Sequence, residues 1–160
     1  DFMRRADEAG MRHVRIRSAW LASEDYPRLL GAADVGVSLH YSSSGFDLPM
    51  KAVDMMGCQL PVLSVRYPAI HELVEEGTTG MLFDKENELA VQLYTLLDDL
   101  HGGQPLPLEL VGNGVGVSGG GAARRAAMRA ALAGGFQARR WEEEWRQAAA
   151  PLLRRMLARG

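Results

Sequence analysis

A chain of 160 residues with 47% hydrophobic content can bury one ordinary core and is short for two. The net charge of −2 conceals an asymmetry: residues 1–121 sum to −8, whereas residues 122–160 carry nine Arg against three Glu and sum to +6. The lone cysteine, Cys58, excludes an internal disulfide and fits a reducing compartment, and no apolar run reaches the roughly 20 residues of a bilayer span.

The first residues, Asp1 to Ala9, read as part of a helix stopped by Gly10, with no initiator Met and no secretory leader. This reading expects a soluble fragment facing the cytosol, in a domain lacking its first strands. Short β-like runs follow at Arg12–Ile16, Asp34–Leu39, Pro61–Val65 and Gly80–Phe83. Helical runs lie between them at Ser23–Ala33, Pro49–Gly57 and Pro68–Glu76. Ser23 stands at a capping position, and Pro49 occupies a first turn. A longer helix is predicted over Lys85–Leu100, capped by Asp84, with Leu89, Leu93, Leu96, Leu97 and Leu100 on one face. Alternation of this kind predicts an α/β domain built on a parallel sheet.

Residues 102–121 hold eight of the 18 glycines with Pro105 and Pro107, and read as a flexible linker or insertion. Gly112, Gly114 and Gly116 lack the preceding strand and following acid of a dinucleotide fingerprint. Beyond them, Ala122–Ala133 and Gln137–Ala158 are Ala/Arg-rich helices. Trp141 and Trp145, one turn apart, serve in this reading to dock the terminal helix. The organisation expected is therefore a domain over 1–101, a linker over 102–121 and helices over 122–160 that dock back. The Arg-rich tail has a second reading as a surface for anionic lipid.

The chemistry concentrates between Ser42 and Pro61. Here a strand end leads through Ser42-Ser43-Ser44-Gly45-Phe46-Asp47-Leu48 into a helix that Pro49 opens. In open parallel sheets ligands bind beyond the C-terminal strand ends, and a helix N-terminus offers unpaired N–H groups to a diphosphate. Gly45 permits close backbone approach. Asp47, Lys51 and Asp54 at i, i+4 and i+7 would line one side of a helix, with Ala52, Val53, Met55 and Met56 toward the sheet. A solvated ion pair is the plainer account of these charges. Only two of the 18 basic residues are lysines, which sets Lys51 apart.

Gly45-Phe46-Asp47-Leu48-Pro49, followed by Asp54-Met55-Met56-Gly57-Cys58-Gln59-Leu60-Pro61-Val62, resembles the C-terminal Rossmann-like domain of two-domain glycosyltransferases of the GT-B fold. The pattern departs where the first acid is Ser44 and the second is Asp54. With Glu24-Asp25-Tyr26-Pro27, Ser42-Ser43-Ser44, Met50-Lys51, His71-Glu72-Leu73-Val74, Gly80 and Arg140-Trp141-Glu142, the run is similar to the family of chitobiosyldiphosphodolichol β-mannosyltransferases. The similarity spans nearly all of the chain outside the Gly-rich segment.

That resemblance implies an inverting β1,4 transfer of mannose from GDP-mannose to GlcNAc₂-diphosphate-dolichol, the first mannosylation of the N-glycan precursor. It places the enzyme on the cytosolic face of the endoplasmic reticulum membrane, by an anchor outside this chain, with other glycosyltransferases of the pathway as candidate partners and no nucleic acid. It gives Asp54 to the nucleotide ribose and Ser43, Ser44, Gly45, Phe46, Asp47, Leu48 and Pro49 to the diphosphate and sugar. Lys51 becomes the candidate for stabilising leaving-group charge. Asp47 is the candidate to supply the sugar contact missing at Ser44.

The general base is expected outside this chain. His40 is a candidate diphosphate contact or a structural histidine. Glu72 reads as a first-turn acid of its helix or as a donor contact. Cys58 reads as buried and apolar, and no spacing of His or Cys suggests a metal site. Two rival readings are a related glycosyltransferase with another nucleotide sugar and a non-catalytic interaction subunit of the same fold.

Overall fold

The computed structural model describes residues 4–5, 10, 14–100, 120–136 and 141–158. Three short parallel strands form its sheet in the order β1 (Gly36–Ser38), β2 (Val62–Val65) and β3 (Gly80–Phe83). Val37 pairs with Leu63, and Leu63 in turn with Met81. The helices are α1 (Asp25–Ala32), α2 (Met50–Gly57), α3 (Glu86–Leu96) and α4 (Gly121–Ala131), with shorter α5 (Trp141–Glu144) and α6 (Ala150–Leu157) at the end. A single 3₁₀ turn, Pro68–Glu72, follows β2.

Strand β2 explains why two layers of helix are needed. Successive side chains of a strand point to opposite faces, and a strand buried on both faces reads as an unbroken apolar run. Val62 joins Ala52 and Met56 of α2, Ile70, Val74 and Leu82 in one core. Leu63 joins Phe83, Leu96 of α3 and Met128 of α4 in the other. The parallel α/β fold expected from the alternation is thus present, with strands close to their predicted bounds at β2 and β3.

Several local expectations change. No strand forms over Val14–Ile16, where Val14 stays exposed; the predicted partners Arg12 and His13 lie outside the described residues. Without a neighbouring strand to take its hydrogen bonds, a short β-branched run has nothing to hold it in a sheet. The predicted helix Pro68–Glu76 shortens to the 3₁₀ turn, and α3 stops at Leu96, so Leu100 is exposed. Ser23 makes no cap, because α1 begins after Glu24. Asp84 does not cap α3 either: its carboxylate accepts from Arg66 at 3.2 Å, and its N–H donates to Glu88 at 2.8 Å. Of the first predicted helix, Arg4 and Arg5 are helical and the remainder lies outside the described residues, as does the Gly-rich segment 102–119.

Helix α4 is fastened to the end of α3. Asp98 accepts from the N–H groups of Gly120 and Gly121 at 2.7 and 2.8 Å, capping the helix from a distance in sequence. Buried Arg125 makes a bidentate pair with Asp99 at 2.7 and 2.9 Å and also donates to the Leu96 carbonyl. The pair with Asp99 holds the guanidinium above its ordinary range. Arg129 reaches the carbonyls of Ala33 and Gln59. A five-residue π-turn, Leu132–Phe136, then carries Leu132 into the α2 core. At the far end Trp145 is 40% exposed, with Leu152, Leu153, Met156 and Leu157. Among the described residues no helix is long and apolar enough to cross a membrane.

Candidate functional site

Strand β1 ends at Ser38, and the chain then crosses its C-terminal edge before entering α2. The crossing is built around a tight turn in which Gly45 has φ +80°, its N–H donating to the Ser42 hydroxyl at 2.9 Å. The left-handed conformation suits glycine because it carries no Cβ. The Gly45 carbonyl accepts from Ala69 N–H at 3.1 Å, tying the turn to the 3₁₀ segment.

Asp47 organises this crossing. One carboxylate oxygen accepts from the buried Ser42 hydroxyl and from Ser44 at 2.9 Å; the other accepts from His40 Nε2 at 3.0 Å. The hydrogen bonds from Ser42, then Ser44, then His40 pull its carboxyl down to about 2. An ionised carboxylate only accepts, so Nε2 of His40 carries the proton in this pair. Tyr67 donates its hydroxyl to the Asp47 carbonyl at 3.0 Å, and its ring meets those of His40 and Tyr41 edge-on. Burial, with the Asp47 charge second, pushes the Tyr67 hydroxyl up.

The predicted row of Asp47, Lys51 and Asp54 on one helix does not form. Helix α2 begins at Met50, with Pro49 as an extended N-cap at ψ 115°, so Asp47 lies in the loop. Leu48 precedes a proline, whose ring disfavours helical backbone in the residue before it, and this delays the start. Ala52 and Met56 face the core as expected and Met55 is half-buried, whereas Val53 is 36% exposed.

Two cavities flank α2. The first, of about 700 Å³, opens at the end of β1 and is lined by His40, Asp47, Leu48, Pro49, Met50 and Lys51. It brings five of the eleven predicted site residues, His40, Asp47, Leu48, Pro49 and Lys51, to the start of α2, where the helix N–H groups lack partners in the helix. Ser43, Ser44 and Phe46 belong to the same loop, with Phe46 83% exposed. The second, of about 330 Å³, holds Asp54 with Tyr26, Leu30, Val53 and Cys58. There Tyr26 donates to Asp54 at 3.5 Å, and burial followed by the Asp54 charge raises the Tyr26 hydroxyl. Cys58 is half-buried beside Asp54, a correction to its reading as a buried apolar residue: its place on the exposed side of the helix end leaves it facing this cavity.

Glu72 is not brought to either cavity. It closes the 3₁₀ turn, so it is not a first-turn acid, and it lines a separate hollow with His71, Glu75 and Thr78. The turn is too short to carry a helix past Leu73. Among the described residues no three His, Cys, Asp or Glu side chains are grouped to hold a metal ion. Tyr26 and Tyr67 were not foreseen. Their signal was faint: each is an aromatic with a polar tip beside a proline, in a segment that meets α2 or its loop.

A parallel α/β sheet with a polar, glycine-turned crossing leading into a helix at its C-terminal edge is consistent with a Rossmann-like domain of a glycosyltransferase. Residues 2–99 match the family described as glycosyl transferases group 1, and the chain belongs to that family. More particularly, the chain is similar to chitobiosyldiphosphodolichol beta-mannosyltransferases. It is 43% identical to that of Mus musculus over 143 residues, 89% of this chain and 26% of the relative. It is 56% identical to that of Yarrowia lipolytica over 81 residues, 51% of this chain and 18% of the relative. It is also 45% identical to the UDP-glycosyltransferase TURAN of Arabidopsis thaliana over 148 residues, 92% of this chain and 28% of the relative. The chain thus spans about a quarter of the length of the first and third of these relatives. No solved structure matches it significantly.

Proposed function

We propose that this chain is the donor-binding part of an inverting β-1,4-mannosyltransferase that moves mannose from GDP-mannose to GlcNAc₂-diphosphate-dolichol. The observation that carries the reading is the cavity at the end of β1, where Lys51, His40 and the first turn of α2 face the same space. The names of the Mus musculus and Yarrowia lipolytica relatives supply the acceptor class.

Lys51 and Asp54 are three residues apart on α2, which makes them neighbours on its exposed surface. A ligand lying along that surface reaches Lys51 with its diphosphate and Asp54 with its ribose, while the sugar rests against Ser43 to Pro49. Lys51 then offsets charge as the diphosphate leaves. The general base lies outside this chain, so residues 1–160 alone turn over no GDP-mannose. The enzyme works at the cytosolic face of the endoplasmic reticulum membrane beside other glycosyltransferases of the pathway. Glu72, in its own hollow, takes no part in donor binding.

Calorimetric titration with GDP, GDP-mannose and UDP tests the reading. Binding of GDP and GDP-mannose in preference to UDP is the expected result. The Arabidopsis thaliana relative is named for UDP and favours a second reading, a UDP-sugar donor at the same site; tighter binding of UDP would select it. Failure of all three to bind overturns the donor reading.

A further inference from the structure

Resting on the donor-binding reading, we propose that His40, as imidazolium, is a contact to the donor's diphosphate and that Asp47 is the positioning residue that holds it there. The charges around the cavity lead to this. Asp47 has three donors on its two oxygens, from Ser42, Ser44 and His40, so little of its acceptor capacity is left for a ligand. His40 uses Nε2 on Asp47, and its Nδ1 has no hydrogen-bond partner among the described residues. Lys51 lines the same space and makes no ion pair among the described residues.

The groups facing His40 are Asp47 from the loop, Lys51 from α2, and the rings of Tyr67 and, through it, Tyr41. With His40 neutral, Asp47 and Lys51 balance. With His40 protonated, the cavity gains one positive charge and a second N–H donor at Nδ1. A diphosphate bridging His40 and Lys51 satisfies both cations, and Asp47, on the exposed side of the loop, remains hydrogen-bonded to His40 as the counter-charge. Anion affinity is then higher with His40 protonated than with it neutral.

The test titrates the full 160-residue chain with pyrophosphate, GDP and GDP-mannose at about pH 5.5 and about pH 8. Because phosphates titrate in this range, the readout is the ratio of wild-type affinity to that of His40→Gln, which keeps a neutral N–H for Asp47. The ratio is expected to be about tenfold at the lower pH, the worth of one charge-assisted hydrogen bond, and close to one at the higher. Asp47→Asn should weaken pyrophosphate binding at the lower pH, and Asp47→Glu should restore it in part. NMR of the His40 ring should show Nδ1 shifting on addition of pyrophosphate.

Equal affinity of wild type and His40→Gln for GDP at both pH values overturns the role of His40 while leaving the donor reading intact. An Asp47→Asn profile identical to wild type overturns the positioning role. Pyrophosphate binding that depends on His40, with no binding of GDP or GDP-mannose, keeps the anion site and overturns the donor reading.

Discussion

Replacing Gly45 by alanine isolates the contribution of the turn to the site. At φ +80° an alanine pays the left-handed penalty of about 1–2 kcal/mol. Space adds nothing to it: a Cβ there meets Pro68 at 3.8 and 3.9 Å, an ordinary contact. Gly77 provides the matched control, with φ +81° and nothing within 4 Å of a Cβ, in a turn that lines neither the cavity of Lys51 nor that of Asp54. Both variants should therefore lose similar stability, about 2–8 °C in Tm for a chain of this size. Only Gly45→Ala should also weaken nucleotide binding, by about fivefold or more, because relief of the strain displaces the Ser42–Asp47 loop. Thermal unfolding paired with GDP titration gives both numbers. Unchanged stability in Gly45→Ala, or equal loss of binding in Gly77→Ala, would refute the reasoning.

Two further perturbations probe the frame and the loop. Arg125→Met removes the bidentate partner of Asp99 and strands the buried Leu96 carbonyl, and should cost about 2–3 kcal/mol in urea unfolding, the partial exposure of Asp99 keeping it below a fully buried pair; a loss under about 0.5 kcal/mol would contradict the clamp. Asp47 has a folded value of about 2, below the usual carboxylate range, so its contribution to loop order is complete above the unfolded value and disappears as pH falls through the folded one. Carboxyl NMR should therefore place its midpoint near 2, and an ordinary midpoint near 4 would mean that Ser42, Ser44 and His40 do not hold it in solution.

What the residues disclosed, and what they hid, follows from the range of the forces involved. Strand β2 was legible because both faces of a central parallel strand are buried, which forces a continuous apolar run such as Val62-Leu63, and β3 because Leu82 and Phe83 enter the two cores in turn. The glycine-turned crossing was legible because its neighbours in space are also neighbours in sequence. The start of α2 was placed to within one residue, but Asp47 was wrongly aligned with Lys51 and Asp54, although Leu48 before Pro49 carried the signal that Asp47 stands outside the helix. The clamp on α4 was missed because Arg125 meets its carboxylate partner across 26 residues. Even so, the adjacent acids Asp98 and Asp99 beyond the C-terminal end of α3 oppose the helix dipole and call for a cationic or N–H partner. Asp54 and Lys51 were correctly joined to one helix, but their separation into two cavities depends on Tyr26 of α1, which local pattern does not position.

The claim that Ser42 to Pro61 holds a nucleotide sugar is tested most directly by titrating GDP-mannose into isotope-labelled protein and following backbone amides by NMR. The account predicts shifts concentrated at His40, Gly45, Lys51 and Asp54, reproduced by GDP for the residues along α2. Shifts confined to His71, Glu75 and Thr78, in the hollow beyond the 3₁₀ turn, would contradict it.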